Sequence, residues 1–175
     1  MTPQALAERS REMDGLAFIR ALLEGELPPP PIAELLGFRP VEAGPGRAVF
    51  ELVPGEQHYN PIGSVHGGVA ATLLESAMGC AVQTTLPAGV GYTTLELKVN
   101  FVRGLTAQSG PVRCEGEVVH RGGTVATAEG RVWEHDTGKL VAHATTTCLL
   151  RGQTPSGQAP SAPDPAGSDP LPTSS

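Results

Sequence analysis

The residues best suited to chemistry lie in one stretch, residues 60–75, where a polar turn with several glycines runs directly into a long apolar segment of helical spacing. Gly67 would begin that helix. Its backbone N–H would have no partner within the helix, and the positive end of the helix dipole favours negative charge there, so it is a candidate oxyanion donor. Glu75 is the one acid of the helix and a candidate general base or nucleophile. Together these groups predict a site that polarises a carbonyl and activates an attacking group.

The spacing of these two groups predicts that the site is shared between two chains. Gly67 and Glu75 are eight residues apart in the sequence, which corresponds to about 12 Å along a helix. A reacting carbonyl must lie about 3 Å from both the oxyanion donor and the attacking group. One helix cannot hold both groups at that distance, so we expect Gly67 of one chain to act together with Glu75 of another.

The elements around this stretch predict an α+β domain in which one antiparallel sheet wraps one buried helix. Apolar residues at helical spacing predict helices, and runs bounded by Gly, Pro or Asp turns predict strands. The predicted helices are residues 2–24, 32–36 and 67–85. The predicted strands are residues 38–43, 47–53, 91–103, 111–121, 124–135 and 139–150.

The strand over residues 91–103 has the clearest alternation. A period of two predicts that one of its faces is buried and the other is exposed. The apolar positions are Leu95, Leu97, Val99 and Phe101, and the polar positions between them are Glu96, Lys98 and Asn100.

Composition divides the chain into three parts. Residues 1–29 form a helical arm that ends in a run of prolines, and we expect it to lie beside the main domain as a lid or brace. Residues 30–150 form the main domain. Residues 151–175 are rich in Pro, Ser and Gly with almost no large apolar residue, so burial cannot offset the cost of ordering them and a disordered tail is predicted.

The turn and the acid together resemble a known family. The pattern Asn60-Pro61-x-Gly63-x-x-His66-Gly67-Gly68, with an acid nine residues after the histidine, resembles the hot-dog-fold acyl-CoA thioesterases of the PaaI-like (phenylacetate-pathway) type. The resemblance implies hydrolysis of a coenzyme A thioester to the free acid and coenzyme A. Coenzyme A is then part of the substrate, and no separate cofactor is expected. It also implies a homodimer as the smallest active unit, often assembled into a tetramer of two dimers.

The same resemblance implies roles for further residues. His66 would orient the turn, Asn60 would bind the thioester oxygen or the water, and the hydroxyl of Thr94, at the start of the central strand, would steady that water. Some relatives instead carry Ser or Thr one helical turn after the acid, where this chain has Gly79. Glu75 could act as a base or as a nucleophile.

The phosphates of coenzyme A need positively charged partners. Arg121 with Gly122 and Gly123 lies at a predicted hairpin, and Arg103 lies at a strand end. Both positions could meet phosphate groups.

If two chains share the site, one chain would supply the turn residues and the other would supply Glu75 and Thr94.

Each of these residues also has a structural explanation when it is taken alone. Asn-Pro and Gly-Gly are common in turns, and His66 could simply cap the helix. Glu75 could be a rim-facing acid, Thr94 an ordinary strand residue, and Arg121 a solvated turn charge. Their combination at these spacings favours a site over five separate coincidences.

Charge and composition exclude other classes. The net charge is −6 and no basic stripe is present, which argues against nucleic acid. The three cysteines form no CxxC pair, and no segment is apolar enough to span a membrane, so a cytoplasmic protein is expected. No His and Cys spacing indicates a metal site. The open alternatives are a hot-dog dehydratase or hydratase and a non-catalytic acyl-CoA-binding module; the His-Gly-Gly turn with its acid favours hydrolysis.

Overall fold

The computed structural model describes residues 1–152. The tail predicted over residues 151–175 therefore lies outside the described part except for its first two residues, of which Arg151 ends the last strand. The helices are α1 (Pro3–Glu12), α2 (Gly15–Leu23), α3 (Pro31–Leu36) and α4 (Gly67–Gln83). The strands are β1 (Phe38–Gly44), β2 (Arg47–Leu52), β3 (Gly91–Phe101), β4 (Val112–Arg121), β5 (Val125–Glu134) and β6 (Leu140–Arg151). A short 3-10 turn, Glu56–His58, precedes the glycine-bearing loop.

The six strands form one antiparallel sheet in the order β1-β2-β4-β5-β6-β3. Consecutive strands from β4 to β6 pair directly, as their short turns predict, whereas β3 pairs only with β6. The description of the Thr94 strand as central is therefore wrong for the single chain, because β3 is an edge strand. Strand order depends on long-range pairing, which the alternation within one strand does not encode.

Helix α4 is the buried helix around which the sheet curves. It packs against all six strands, and its apolar residues are almost completely buried: Leu73, Leu74, Ala77, Met78, Ala81 and Val82. The sheet lies close to α4 at Gly116 and Gly130, which are paired across β4 and β5 and have no side chains to hold the helix away. A Cβ at Gly116 would lie 2.5 Å from the backbone nitrogen of Met78, and one at Gly130 would lie 2.9 Å from the Met78 Cγ. The α+β architecture predicted from the sequence is confirmed.

The N-terminal arm consists of two helices, so the prediction of one continuous helix over residues 2–24 is wrong. Asp14 interrupts it, because its carboxylate accepts hydrogen bonds from the N–H groups of Leu16 and Ala17 and caps a new helix there. At Gly15 the arm touches the main domain, where its N–H donates to the Leu86 carbonyl at 2.9 Å. A small apolar cluster joins the two helices: Leu6, Phe18, Ile19, Ala21 and Leu27.

Candidate active site

The start of α4 presents one free backbone donor. His66 caps the helix: its Nδ1 accepts from the Gly68 N–H at 2.8 Å, and its carbonyl accepts from the Val69 N–H at 2.9 Å. Because Nδ1 is an acceptor, the ring proton is on Nε2. The Gly67 N–H, the first of the helix, has no hydrogen-bond partner among residues 1–152. His66 therefore acts on the turn through hydrogen bonds, and Gly67 keeps its donor available.

A cavity of about 270 Å³ lies at this donor, and its lining includes His66, Gly67, Phe101 and Arg103. The Phe101 ring covers Gly67 so closely that a Cβ there would lie 3.1 Å from its Cζ. A side chain at this position would require the Phe101 ring to move by a few tenths of an ångström, whereas glycine leaves the approach open without rearrangement. Arg103, a candidate phosphate partner, thus shares a cavity with Gly67, the candidate oxyanion donor.

The Asn60 side chain holds the loop before the helix. Its Oδ1 accepts from the Ile62 N–H at 3.1 Å and from the Ser64 N–H at 3.2 Å, and its Nδ2 donates to the Ser64 hydroxyl at 3.1 Å. Asn60 does not line the Gly67 cavity. In the single chain its amide fixes the shape of the turn that carries Gly67.

Glu75 lies in a different cavity of about 680 Å³, together with Thr94, Tyr92 and residues of the arm. The Glu75 side chain is exposed in the single chain. Glu75 points away from the buried face of α4 and into a space bounded by the start of β3. The structure therefore brings Glu75 and Thr94 together and separates both from Gly67.

Tyr92 belongs to this cavity, and the sequence reasoning missed it. Its hydroxyl lies against Gly79, one helical turn after Glu75: a Cβ at Gly79 would overlap the oxygen and lie 2.9 Å from the ring Cζ. Burial raises the pKa of Tyr92 well above its ordinary value of 10, with smaller contributions from Cys80, Cys148 and Glu75. The hydroxyl is therefore protonated at neutral pH and available as a donor beside Glu75.

A β-bulge in β3 allows Tyr92 and Thr94 to face the helix. The register shifts between Thr94 and Glu96, and such a bulge changes which alternate residues point to a given face. Tyr92 and Thr94 face the helix side before the bulge, and Leu97 and Val99 pack against the core after it. The prediction of one continuous apolar face is wrong at its ends, because Leu95 is 57% exposed and Phe101 is 60% exposed.

The two remaining phosphate candidates lie apart from both cavities. Arg121 is exposed at the end of β4, and the Gly122 N–H donates to the Val125 carbonyl at 2.8 Å to close the hairpin. Neither residue lines the Gly67 cavity or the Glu75 cavity.

Among residues 1–152, no group of three or more His, Cys, Asp or Glu side chains is arranged to hold a metal ion. No helix there has the length and apolarity needed to cross a membrane.

Comparison with known proteins identifies the family. A sequence profile of the thioesterase superfamily matches residues 62–141. A protein of Saccharolobus solfataricus that carries an esterase name is 33% identical over 113 residues, covering 65% of this chain and 78% of the relative. A solved structure of a mutant of the phenylacetic acid degradation protein PaaI from Thermus thermophilus is 30% identical, with a TM-score of 0.61, and covers 68% of this chain and 97% of that one. The chain belongs to the thioesterase superfamily.

Human acyl-coenzyme A thioesterase 13 is a further relative of this thioesterase, 29% identical over 108 residues, which is 61% of this chain and 75% of the relative. The hot-dog fold and the PaaI-like resemblance predicted from the sequence are confirmed, and the protein is a thioester hydrolase. The matched region begins within the turn before α4 and ends in β6, so it contains both Gly67 and Glu75.

Proposed function

We propose that the thioesterase hydrolyses acyl-CoA thioesters to the free acid and coenzyme A, in a site that two chains of a homodimer share. Gly67 of one chain donates its N–H to the thioester oxygen. Glu75 of the other chain is the base or the nucleophile, and Thr94 beside it steadies the attacking water. The acyl-CoA substrate class is supported by the relatives whose names state it, acyl-coenzyme A thioesterase 13 and 1,4-dihydroxy-2-naphthoyl-CoA hydrolase.

The observation that carries the proposal is the separation of the two groups within one chain. Gly67 has a free donor in a cavity without a carboxylate, and Glu75 has a cavity that lacks the Gly67 donor. Neither cavity contains both groups, and each cavity contains the group that the other lacks. A second copy of the chain would supply the missing half.

The edge strand β3 supports the way in which two copies would meet. Its outer edge has no strand partner among the described residues, and large apolar side chains within the strand and just after it are exposed: Leu95, Phe101 and Val102. An exposed apolar edge favours pairing with another strand. If two copies of β3 pair antiparallel about a two-fold axis, the start of one strand lies beside the end of the other. Thr94 and its neighbour Glu75 would then approach the partner chain at Phe101, which covers Gly67.

The chemistry follows from these positions. The thioester oxygen accepts the Gly67 N–H, and the helix dipole stabilises the negative charge that develops when the carbonyl carbon is attacked. As a base, Glu75 takes a proton from water while the water oxygen bonds to the carbonyl carbon. As a nucleophile, its carboxylate forms a mixed anhydride that water then hydrolyses. In both cases the C–S bond breaks and coenzyme A leaves as a thiolate.

A proline at position 67 tests the oxyanion donor directly. Proline removes the N–H but suits the first position of a helix, and His66 has φ −61 and ψ 133, an extended conformation that tolerates a following proline. Gly67→Ala is the matched control, because it keeps the N–H and adds the same Cβ beneath Phe101. We expect Gly67→Pro to have a kcat about 100- to 1,000-fold below that of Gly67→Ala. Equal rates for the two variants would remove Gly67 from the mechanism.

Mixed dimers test the sharing of the site. Glu75→Gln should abolish release of coenzyme A while the protein still folds and binds substrate. Chains with Gly67→Pro and chains with Glu75→Gln should recover part of the activity when they are co-expressed, because one of the two sites in a mixed dimer contains both intact groups. Failure to recover activity in dimers proven to be mixed would contradict the shared site.

Phosphate binding and assembly are separate parts of the proposal. Arg103 lines the Gly67 cavity and is the stronger candidate for the phosphates of coenzyme A, while Arg121 and Gly122 would contribute only if assembly brings their hairpin to the substrate. Arg103→Gln should raise KM for acyl-CoA more than it lowers kcat. Sedimentation at several protein concentrations distinguishes the proposed dimer from a tetramer of two dimers.

A further inference from the structure

An additional cavity lies behind the Glu75 cavity, between the arm and the main domain. It has a volume of about 160 Å³ and is bounded by α2, the proline run, α3, β1, β2 and one face of α4. It shares five lining residues with the Glu75 cavity: Ile19, Leu22, Pro30, Cys80 and Tyr92. The two spaces therefore adjoin, and a group that enters beside Glu75 has a continuous wall to follow.

The wall of this inner cavity is apolar and carries no formal charge. It is formed mainly by aliphatic, proline and phenylalanine side chains, among them Ile32, Phe38 and Phe50. Its ionisable groups are Cys80 and Tyr92. Burial raises the pKa of Cys80 to about 12, and burial also raises that of Tyr92 well above 10. Both groups are neutral at physiological pH, so the wall has no charged group to compensate a buried charge.

We propose that this inner cavity binds the acyl group of the substrate, and that the acyl groups accepted are uncharged hydrocarbon chains or rings. The inference rests on the proposed hydrolysis of acyl-CoA, since it assigns the part of the substrate beyond the thioester carbonyl. The carbonyl stays beside Glu75 and the acyl group extends between Tyr92 and the arm. Transfer of an ionised carboxylate into such a space without a partner is strongly unfavourable, so acyl groups with a terminal carboxylate are excluded.

The arm then sets the length of the acyl group. Leu22 is half-buried on α2 and lines both cavities, so its side chain lies where they adjoin. A larger side chain at this position narrows the passage, and a smaller one widens it. Leu16 is half-buried on the same helix but lines neither cavity, which makes it a matched control.

The test measures kcat/KM for straight-chain acyl-CoAs from acetyl to decanoyl, and for hexanoyl-CoA against adipoyl-CoA, which carries a terminal carboxylate. Hexanoyl-CoA should exceed adipoyl-CoA by at least about 100-fold. Leu22→Trp should shift the optimum toward shorter acyl groups, with a loss of about 10- to 200-fold for each methylene that no longer fits. Leu22→Ala should shift it toward longer ones, and Leu16→Trp should leave the length profile unchanged.

The outcomes separate this inference from the function on which it rests. Hydrolysis of the panel with an unchanged length profile in both Leu22 variants, or equal rates for hexanoyl-CoA and adipoyl-CoA, overturns the acyl site and leaves the thioesterase proposal standing. Absence of hydrolysis for every acyl-CoA overturns the proposed function itself. If Leu22→Trp does not fold, Ser76→Leu narrows the same cavity from α4 and should give the same shift toward shorter acyl groups.

Discussion

The packing of Tyr92 against Gly79 predicts an unusual response to a single added methyl group. Gly→Ala in a helix interior normally stabilises by about 1 kcal/mol, because alanine has the better helix propensity. In α4 the new Cβ would overlap the Tyr92 hydroxyl and lie 2.9 Å from Cζ and 3.0 Å from Cε2. Overpacking of this kind costs about 1–3 kcal/mol. We therefore expect Gly79→Ala to lower the free energy of unfolding by up to about 2 kcal/mol rather than raise it.

A double-mutant cycle isolates the cause. Tyr92→Phe removes the oxygen that the new Cβ would overlap and leaves Cζ, at 2.9 Å, as the nearest ring atom. In the Tyr92→Phe background Gly79→Ala should be less destabilising, with a coupling energy of about 1–2 kcal/mol between the two positions. Urea denaturation of the four proteins gives each free energy.

The same change should also affect catalysis. To make room for the Cβ, the Tyr92 ring must move toward the cavity that Glu75 and Thr94 line. A lower kcat/KM for acyl-CoA in Gly79→Ala, partly restored by Tyr92→Phe, is the expected result. If Gly79→Ala stabilises by about 1 kcal/mol in both backgrounds, the coupling is absent and the proposed packing of Tyr92 is wrong.

Three further predictions follow from single contacts. Gly116→Ala should lower the free energy of unfolding by about 3 kcal/mol and Tm by about 6–12 °C, because the backbone of α4 cannot rotate away from the added Cβ. Gly123→Ala is the control, since nothing lies within 4 Å of a Cβ there, and equal Tm values for the two variants would contradict the close contact between Gly116 and α4. His66→Ala should cost about 1 kcal/mol of stability by removing the helix cap, and His66→Asn should restore most of it; a loss of the same size in both variants would argue against capping. Cys80 lines both the Glu75 cavity and the inner cavity, but burial raises its pKa to about 12, so it should be about 0.01% thiolate at pH 8 and should react with a thiol reagent far more slowly in the folded protein than after unfolding. Equal labelling rates at Cys80 in the folded and unfolded protein would refute this.

Much of the candidate site was readable from short-range spacing. The order of turn, helix start and acid depends on residues close together in the chain, so Gly67 could be placed at a helix N-terminus and Glu75 on the same helix before any coordinates. The distance between them followed from helix geometry alone, and it predicted the separation that the two cavities show. The break at Asp14 was also a local signal, since an aspartate before a helical run is a common cap, but the periodicity on both sides concealed it.

Other features depend on contacts between residues far apart in the sequence. The position of β3 at the edge of the sheet and the bulge between Thr94 and Glu96 arise from pairing with β6, and alternation within β3 cannot show either of them. Tyr92, on β3, reaches the Glu75 cavity because Gly79, on α4, has no side chain to occupy the space that the tyrosine ring needs. The sequence by itself determined which groups could do chemistry, because helix starts and side-chain periodicity are local properties. Tertiary structure decided which groups share a cavity, because strand order and the packing of an arm against a helix are set by long-range contacts.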